Sequence, residues 1–294
     1  YGDGGADVRA EPLFREALQI RLQLFGNQHR ETATSMSDLA HALRRLGDPE
    51  GAEALYAQVA SISRKVLGEQ HADYATALGN LALSMSDKGE HARAEAMLRE
   101  AIAISRNALG ANHPTTVGKM VNLAQALREQ KKYDEAAAML EDALTTARTR
   151  LGEEHPLVAH CLYTLGRVSF ERGHAREAEP HLRDAVALYQ HTFANTDWRL
   201  AQARSLLGAA LIELDQFEEA ESLLVEAGNI LRPGAGPEGR AARVTQERLA
   251  HLREARGGEV PAARHGRASR ASLPGTRATC IGIEGRNEPL AHPR

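Results

Sequence analysis

Histidine is the first residue type to weigh, because imidazoles ligate metals and move protons near neutral pH, and the chain has 13 of them. Four, His29, His71, His113 and His155, recur every 42 residues. Zinc gathers its ligands to within about 2 Å of one point, whereas residues repeated one per unit lie along a ridge. These four are read as joint residues just before helix starts, helping to satisfy orphan backbone N–H groups, and no metal is assigned. His160 and Cys161 are adjacent, so on a helix they point in different directions and form no catalytic pair. Gly234-Ala235-Gly236-Pro237-Glu238-Gly239 spells GxGxxG. A dinucleotide loop needs a strand leading into it; here a helix ending near Leu231 does, and the string reads as a linker. Carboxylate pairs such as Glu153-Glu154 and Glu218-Glu219 fall on solvent-facing arcs or joints. The sequence holds no phosphate loop, nucleophile elbow, HExxH or kinase signature. Neither a catalytic residue nor a cofactor is expected, and the chain is not read as an enzyme.

The elements that carry these residues follow from self-similarity. Leu24-Phe25-Gly26-Asn27-Gln28-His29, Val66-Leu67-Gly68-Glu69-Gln70-His71, Ala108-Leu109-Gly110-Ala111-Asn112-His113 and Arg150-Leu151-Gly152-Glu153-Glu154-His155 are copies of one another, 42 residues apart. The next copy has decayed to Phe193-Ala194-Asn195-Thr196-Asp197. A second breaker keeps the same period at Gly47, Gly89, Gly173 and Gly257, with Lys131 and Asp215 in the remaining slots. Glycine readily takes the left-handed conformation that ends a helix, so each unit is split into two helices. Apolar spacing within them is helical: Ala33, Met36, Leu39, Ala40 and Leu43 in one first helix, Ala52, Leu55, Tyr56, Val59 and Ile62 in one second helix. Apolar residues make up 43% of the 294 residues and aromatic ones only 4%, a composition rich in Ala, Leu, Glu and Arg that favours helix.

Paired helices with a small residue at the eighth position of the first and at the start of the second resemble tetratricopeptide repeats. That family's usual period is ~34 residues. The longer unit here, with its Leu-Gly-x-x-His-Pro joint (Leu109 to Pro114, Leu151 to Pro156) and its Asn-Leu-Ala core (Asn80-Leu81-Ala82, Asn122-Leu123-Ala124), is most similar to the kinesin-light-chain variety. The resemblance implies an all-α, right-handed solenoid of antiparallel helix pairs. The family's large aromatic at the fourth position is replaced by Met36, Leu78, Met120, Leu162 and Arg204. The expected organisation is an unstructured start over 1–7 and a solenoid over 8–256. The solenoid divides into a half repeat at 8–29, repeats at 30–71, 72–113, 114–155, 156–197 and 198–239, and a capping helix at 240–256 whose Arg243, Gln246, Arg253 and Arg256 suit a polar end. Residues 257–294 are expected to be a disordered tail; from 258 on they hold nine Gly or Pro, six Arg and three Glu.

In this family the first helices line the concave surface. The resemblance places His41, Arg44, Asn80, Asn122, Gln125, Arg128, Tyr163 and Arg167 among the residues turned into it. Asn80 and Asn122 each donate and accept, which suits a grip on an extended peptide backbone; the alternative is that they hydrogen-bond the neighbouring repeat. The three arginines would pair with acidic groups of a ligand or be simply solvated. The expected function is a scaffold binding a protein or peptide segment in this groove.

A net charge of −3 does not favour nucleic acid, and no apolar run reaches membrane-span length. Cys161 and Cys280, far apart and without CxxC spacing, fit a reducing cytoplasm. The sequence opens on Tyr1 rather than Met, and its first helix stands in second-helix register without a partner, so a longer parent chain is expected. An alternative follows from the arginine-rich stretch Ala242 to Leu249, which resembles the end of sensor arrays in bacterial serine/threonine kinases, with catalysis outside this chain. Self-association through an uncapped edge is a third expectation.

Overall fold

The helices that open at Arg30, Ala72, Pro114, Pro156 and Trp198 begin where a side chain accepts a free backbone N–H, whereas those that open at His91, Tyr133, Ala175 and Phe217 have no side-chain cap. The computed structural model describes residues 4–231 and 237–257, which form twelve α-helices and, among the described residues, no strand. They run α1 (Gly4–Phe25), α2 (Arg30–Leu46), α3 (Pro49–Leu67), α4 (Ala72–Asp87), α5 (His91–Leu109), α6 (Pro114–Glu129), α7 (Tyr133–Leu151), α8 (Pro156–Glu171), α9 (Ala175–Thr192), α10 (Trp198–Glu213), α11 (Phe217–Ile230) and α12 (Pro237–Gly257). Helix α1 begins at Gly4, inside the stretch expected to be unstructured. Of the tail over 257–294, only Gly257, the last residue of α12, is a described residue. In the GxGxxG string, Gly234 to Gly236 lie outside the described residues, and Pro237, Glu238 and Gly239 open α12.

The turn inside each repeat is closed by one hydrogen bond in one register. The backbone N–H groups of Asp48, Glu90, Lys132, His174 and Gln216 reach back to the carbonyls of Leu43, Met85, Leu127, Ser169 and Leu211 at 2.9–3.0 Å. This closure needs a left-handed residue just before the donor. Gly47, Gly89 and Gly173 supply it with φ of 85–88°, and Lys131 and Asp215 are driven into the same region at φ 60° and 59°. The register therefore imposes the conformation even where glycine is missing.

Consecutive helices pack as antiparallel neighbours. The first helices α4 and α6, α6 and α8, and α8 and α10 also touch directly, whereas no two second helices do so to a comparable extent. The chain therefore curves with its first helices inside, as a right-handed α-solenoid. Its core is one register repeated: Ala52, Ala94, Ala136, Ala178 and Ala220 are fully buried, as are Tyr56, Leu98, Leu140, Leu182 and Leu224 one turn later. The eighth position of each first helix must be small because that large side chain presses on it. A methyl added at Gly166 or Gly208 would come within 2.7 Å of Leu182 or 2.8 Å of Leu224, so the later repeats have dropped the alanine of Ala40, Ala82 and Ala124. Helix α12 stacks on α10 and α11 through Ala241, Ala242, Thr245 and Leu252, with Arg243, Gln246 and Arg253 exposed. Arg256 ties it to Glu218 and Glu221 of α11.

Candidate functional site

The four periodic histidines cap helices. In His29, His71, His113 and His155 the Nδ1 atom accepts the backbone N–H two residues on, from Glu31, Asp73, Thr115 and Leu157, at 3.1–3.2 Å. Where the histidine is lost, Asp197 does the same work, its Oδ1 accepting from the Arg199 N–H at 2.8 Å. Among the described residues no three His, Cys, Asp or Glu side chains are grouped to hold a metal ion. Cys161 is fully buried, and burial pushes its thiol up to about 12, so it holds its proton at neutral pH. His160 lies between the Gln125 amide at 3.3 Å and the Tyr189 hydroxyl at 3.4 Å.

A groove of about 660 Å³ opens on the concave side between α2, α4 and α6. Its wall from α2 carries Thr34, Ser37, Asp38 and His41; α4 contributes Thr76, Gly79 and Asn80; α6 contributes Thr115, Gly118, Lys119 and Asn122. His41 packs edge-on against Tyr56 with ring centroids 5.3 Å apart and meets the Asn80 amide at 3.5 Å. Asn122 is 7% exposed, and its Oδ1 has no hydrogen-bond partner. Of the side chains expected to face the groove, His41, Asn80 and Asn122 line it.

The other five are engaged in joining repeats. Arg44 is buried, with its Nε 2.7 Å from Asp87 Oδ2. Arg128, 2% exposed, donates to both oxygens of Glu171 at 2.5 Å and to Glu129 at 2.6 Å. Arg167 donates to the same Glu171 carboxylate at 2.9 Å. Simple solvation of these arginines is ruled out, since a guanidinium out of water needs a counter-charge. Gln125 and Tyr163 are 4% exposed, Gln125 meeting His160 of the next repeat and Tyr163 lying in the apolar core. Burial alone would raise the Glu171 carboxyl, but Arg128 and Arg167 together hold it below its ordinary value. Asp87 goes the other way: burial keeps it above the usual carboxylate range against the pull of Arg44 and Arg240. Arg240 arrives from α12, its Nη2 4.0 Å from Asp87 Oδ1.

Tetratricopeptide repeat profiles match residues 8–64, 39–107 and 115–191, and a second such profile matches 201–226. The chain belongs to the tetratricopeptide repeat family. Proteins of this repeat type are in general interaction scaffolds that bind other proteins. Among solved structures, the nearly identical TPR-like repeats of a Podosopora anserina putative kinesin light chain align with a TM-score of 0.54 and 25% identity, over 69% of this chain and 96% of that one. BtubC from P. vanneervenii aligns with a TM-score of 0.60 at 18% identity, over 90% and 97%. Aspartyl phosphate phosphatase F from Bacillus subtilis aligns with a TM-score of 0.57 at 14% identity, over 79% and 58%. The last two share the fold. No curated protein matches the chain, and no described helix is long and apolar enough to cross a membrane.

One groove residue escaped the family register. Lys119 stands at the third position of its repeat, which the concave-facing pattern omits. The same slot holds Ser35, Ala77, Cys161, Ala203 and Thr245, all small and buried. A lysine in a column of small residues was the available signal. Its stem crosses Gly79 of α4, where an added Cβ would lie 3.5 Å from Cε, and its ammonium donates to Thr76 Oγ1 at 3.4 Å. Burial lowers it to about 8.

Proposed function

We propose that this tetratricopeptide array is a protein-interaction scaffold that seats an extended segment of another protein in the groove between α2, α4 and α6. The observation that carries the reading is Asn122, a side chain that lines the groove and whose buried Oδ1 has nothing donating to it. An unsatisfied buried acceptor costs about 1–3 kcal/mol, and an arriving backbone N–H would meet it. Asn80, on the neighbouring first helix, adds a second amide that both donates and accepts. An extended peptide presents alternating N–H and C=O groups, which two such amides on adjacent helices are suited to hold. The reading places no chemistry on this chain.

The test replaces Asn80 and Asn122 together by Ala, with helicity followed by circular dichroism. Affinity is measured by calorimetry against a peptide selected on the native protein from a displayed library. Binding is expected to weaken at least tenfold while helicity holds. Unchanged affinity in a folded double variant would sink the groove reading.

A further inference from the structure

Two acidic residues in one register, Asp87 at the end of α4 and Glu171 at the end of α8, are each met by an arginine from the preceding repeat, Arg44 and Arg128. Glu171 takes a second guanidinium from its own helix, where Arg167 stands one turn earlier. The equivalent place in α4 holds Leu83, and the second guanidinium of Asp87 comes from elsewhere. Arg240, in the first turn of α12, brings its Nη2 to 4.0 Å from Asp87 Oδ1. Helix α12 stands at the far end of the solenoid, stacked on α10 and α11, and does not pack against α4 as a neighbour. The concave face therefore curves back on itself, and an ion pair rather than a packed core joins its ends. Neither partner is fully engaged. Asp87 Oδ1 and Arg240 Nε have no hydrogen-bond partner, and 4.0 Å is beyond hydrogen-bonding reach. Glu129, at the end of α6, adds its repulsion to Asp87. If the pair parts, Asp87 keeps Arg44, whose Nε lies 2.7 Å from Oδ2, and Arg240, already partly exposed, passes to water. Parting strands no buried charge, which is the penalty that makes most buried ion pairs hard to break.

We infer that α12 is a latch: Arg240 docked on Asp87 holds the solenoid curled shut, and loss of this ion pair lets the far end swing away and the concave face open. Each repeat packs chiefly on its neighbours, so small rotations at successive joints add up to a large displacement at the end of the array. Opening therefore requires no repeat to unfold. A long, partly exposed ion pair is weak, and weakness suits a contact that opens and closes. Two shapes of one chain separated by little free energy are exchanged by salt, or by any ligand that favours one of them. The latch concerns the shape of the free protein and stands apart from the groove reading.

The latch is read as a distance. Ala96 on α5 and Ala250 on α12 are exposed. Each is replaced by Cys and spin-labelled in a Cys280→Ser background, while Cys161, fully buried, stays unlabelled. Pulsed electron–electron double resonance then gives the distribution of their separation. In the otherwise native chain at low salt, one narrow distribution is expected. Arg240→Ala should shift it to longer separation and at least double its width, with helicity by circular dichroism unchanged. Arg240→Lys keeps the charge and should stay close to the native distribution. Sodium chloride at about 0.5 M, which screens exposed charges within about 4 Å, should open the native chain in the same way and leave Arg240→Ala where it is. Arg253→Ala removes an exposed charge from the later turns of α12 and should change nothing. If Arg240→Ala keeps the native distribution at both salt concentrations, or if Arg253→Ala opens the chain as far, the latch falls. A loss of helicity in Arg240→Ala would make Arg240 part of the packing of α12 and would overturn the latch as well.

Discussion

The first helices of this solenoid present two polar regions on one concave face, about 13 Å apart along α6 as judged from the rise between Lys119 and Arg128. At the carboxyl ends of these helices, Arg44 with Asp87 and Arg128 with Glu171 each stitch one repeat to the next, and Glu129 and Arg167 join the second cluster from within their own helices. In the groove nearer the helix starts, Lys119 and Asn122 are just as deeply buried, yet one has no counter-charge and the other an idle acceptor. The rim is a lock, because each charge there is matched within the chain. The groove is a receptor, because its groups await matches from outside. Burial alone does not separate the two, nor do idle polar atoms, since Asp87 Oδ1 and Arg128 Nε at the rim also lack a hydrogen-bond partner; whether each buried charge finds its counter-charge does.

The largest expected effect breaks the lock. Glu171→Ala removes the carboxylate shared by Arg128 and Arg167, and is expected to cost roughly 3 kcal/mol of stability at pH 7, read as a lower urea midpoint. The deficit has a defined pH dependence. Because Glu171 is held below its ordinary value of 4.5 in the folded chain, its contribution is present above that value and lost as pH falls through the lower folded one. Native protein and variant should therefore converge on strong acidification. A variant as stable as the native chain at pH 7 would show that the rim does not lock the repeats.

The opposite sign is expected in the groove. Lys119→Met removes an unmatched buried charge and should raise stability at pH 7 by about 1–3 kcal/mol, since its fall from 10.5 to about 8 corresponds to roughly 3 kcal/mol at 1.36 kcal/mol per tenfold. The folded chain releases this proton more readily than the unfolded one. The cost of the native lysine is therefore fully present below pH 8 and fades between pH 8 and 10.5. The gain of the variant should fade over the same interval. A loss of stability instead would make Lys119 a structural residue of the rim's kind and erase the contrast.

Much of this was legible in the sequence because periodicity exposes packing. The 42-residue spacing located both joints of each repeat, including the Lys131 and Asp215 turns, since a register held by neighbouring repeats overrides local preference. The histidines could be read as caps because their place before a helix start leaves few alternatives. The division of the concave face could not be read. Arg44 meets Asp87 and Arg128 meets Glu171 across repeats, 43 residues apart. Whether such pairs close depends on how tightly the first helices crowd on the inside of the curve, which no residue spacing specifies. Lys119 lies outside the family's concave-facing positions, and only its contrast with the small residues of its own column, Ser35, Ala77, Cys161, Ala203 and Thr245, sets it apart.

The smallest effect tests whether the groove wall is set by helix starts rather than by the rim. His113 Nδ1 accepts the N–H of Thr115, which itself lines the groove. His113→Ala leaves that N–H to solvent and should cost about 1 kcal/mol, the usual worth of an N-cap side chain. The loss should be concentrated in the first turn of α6, where amide hydrogen exchange would speed up while the amides around Arg128 keep their protection. His113→Asp should recover most of it, because Asp197 already caps α10 in the same register with a carboxylate at 2.8 Å, and an acidic group at a helix start also meets the positive end of the helix dipole. Were exchange near Arg128 to rise as much as at Thr115, groove and rim would form one cooperative unit, and the separation between receptor and lock would have to be abandoned.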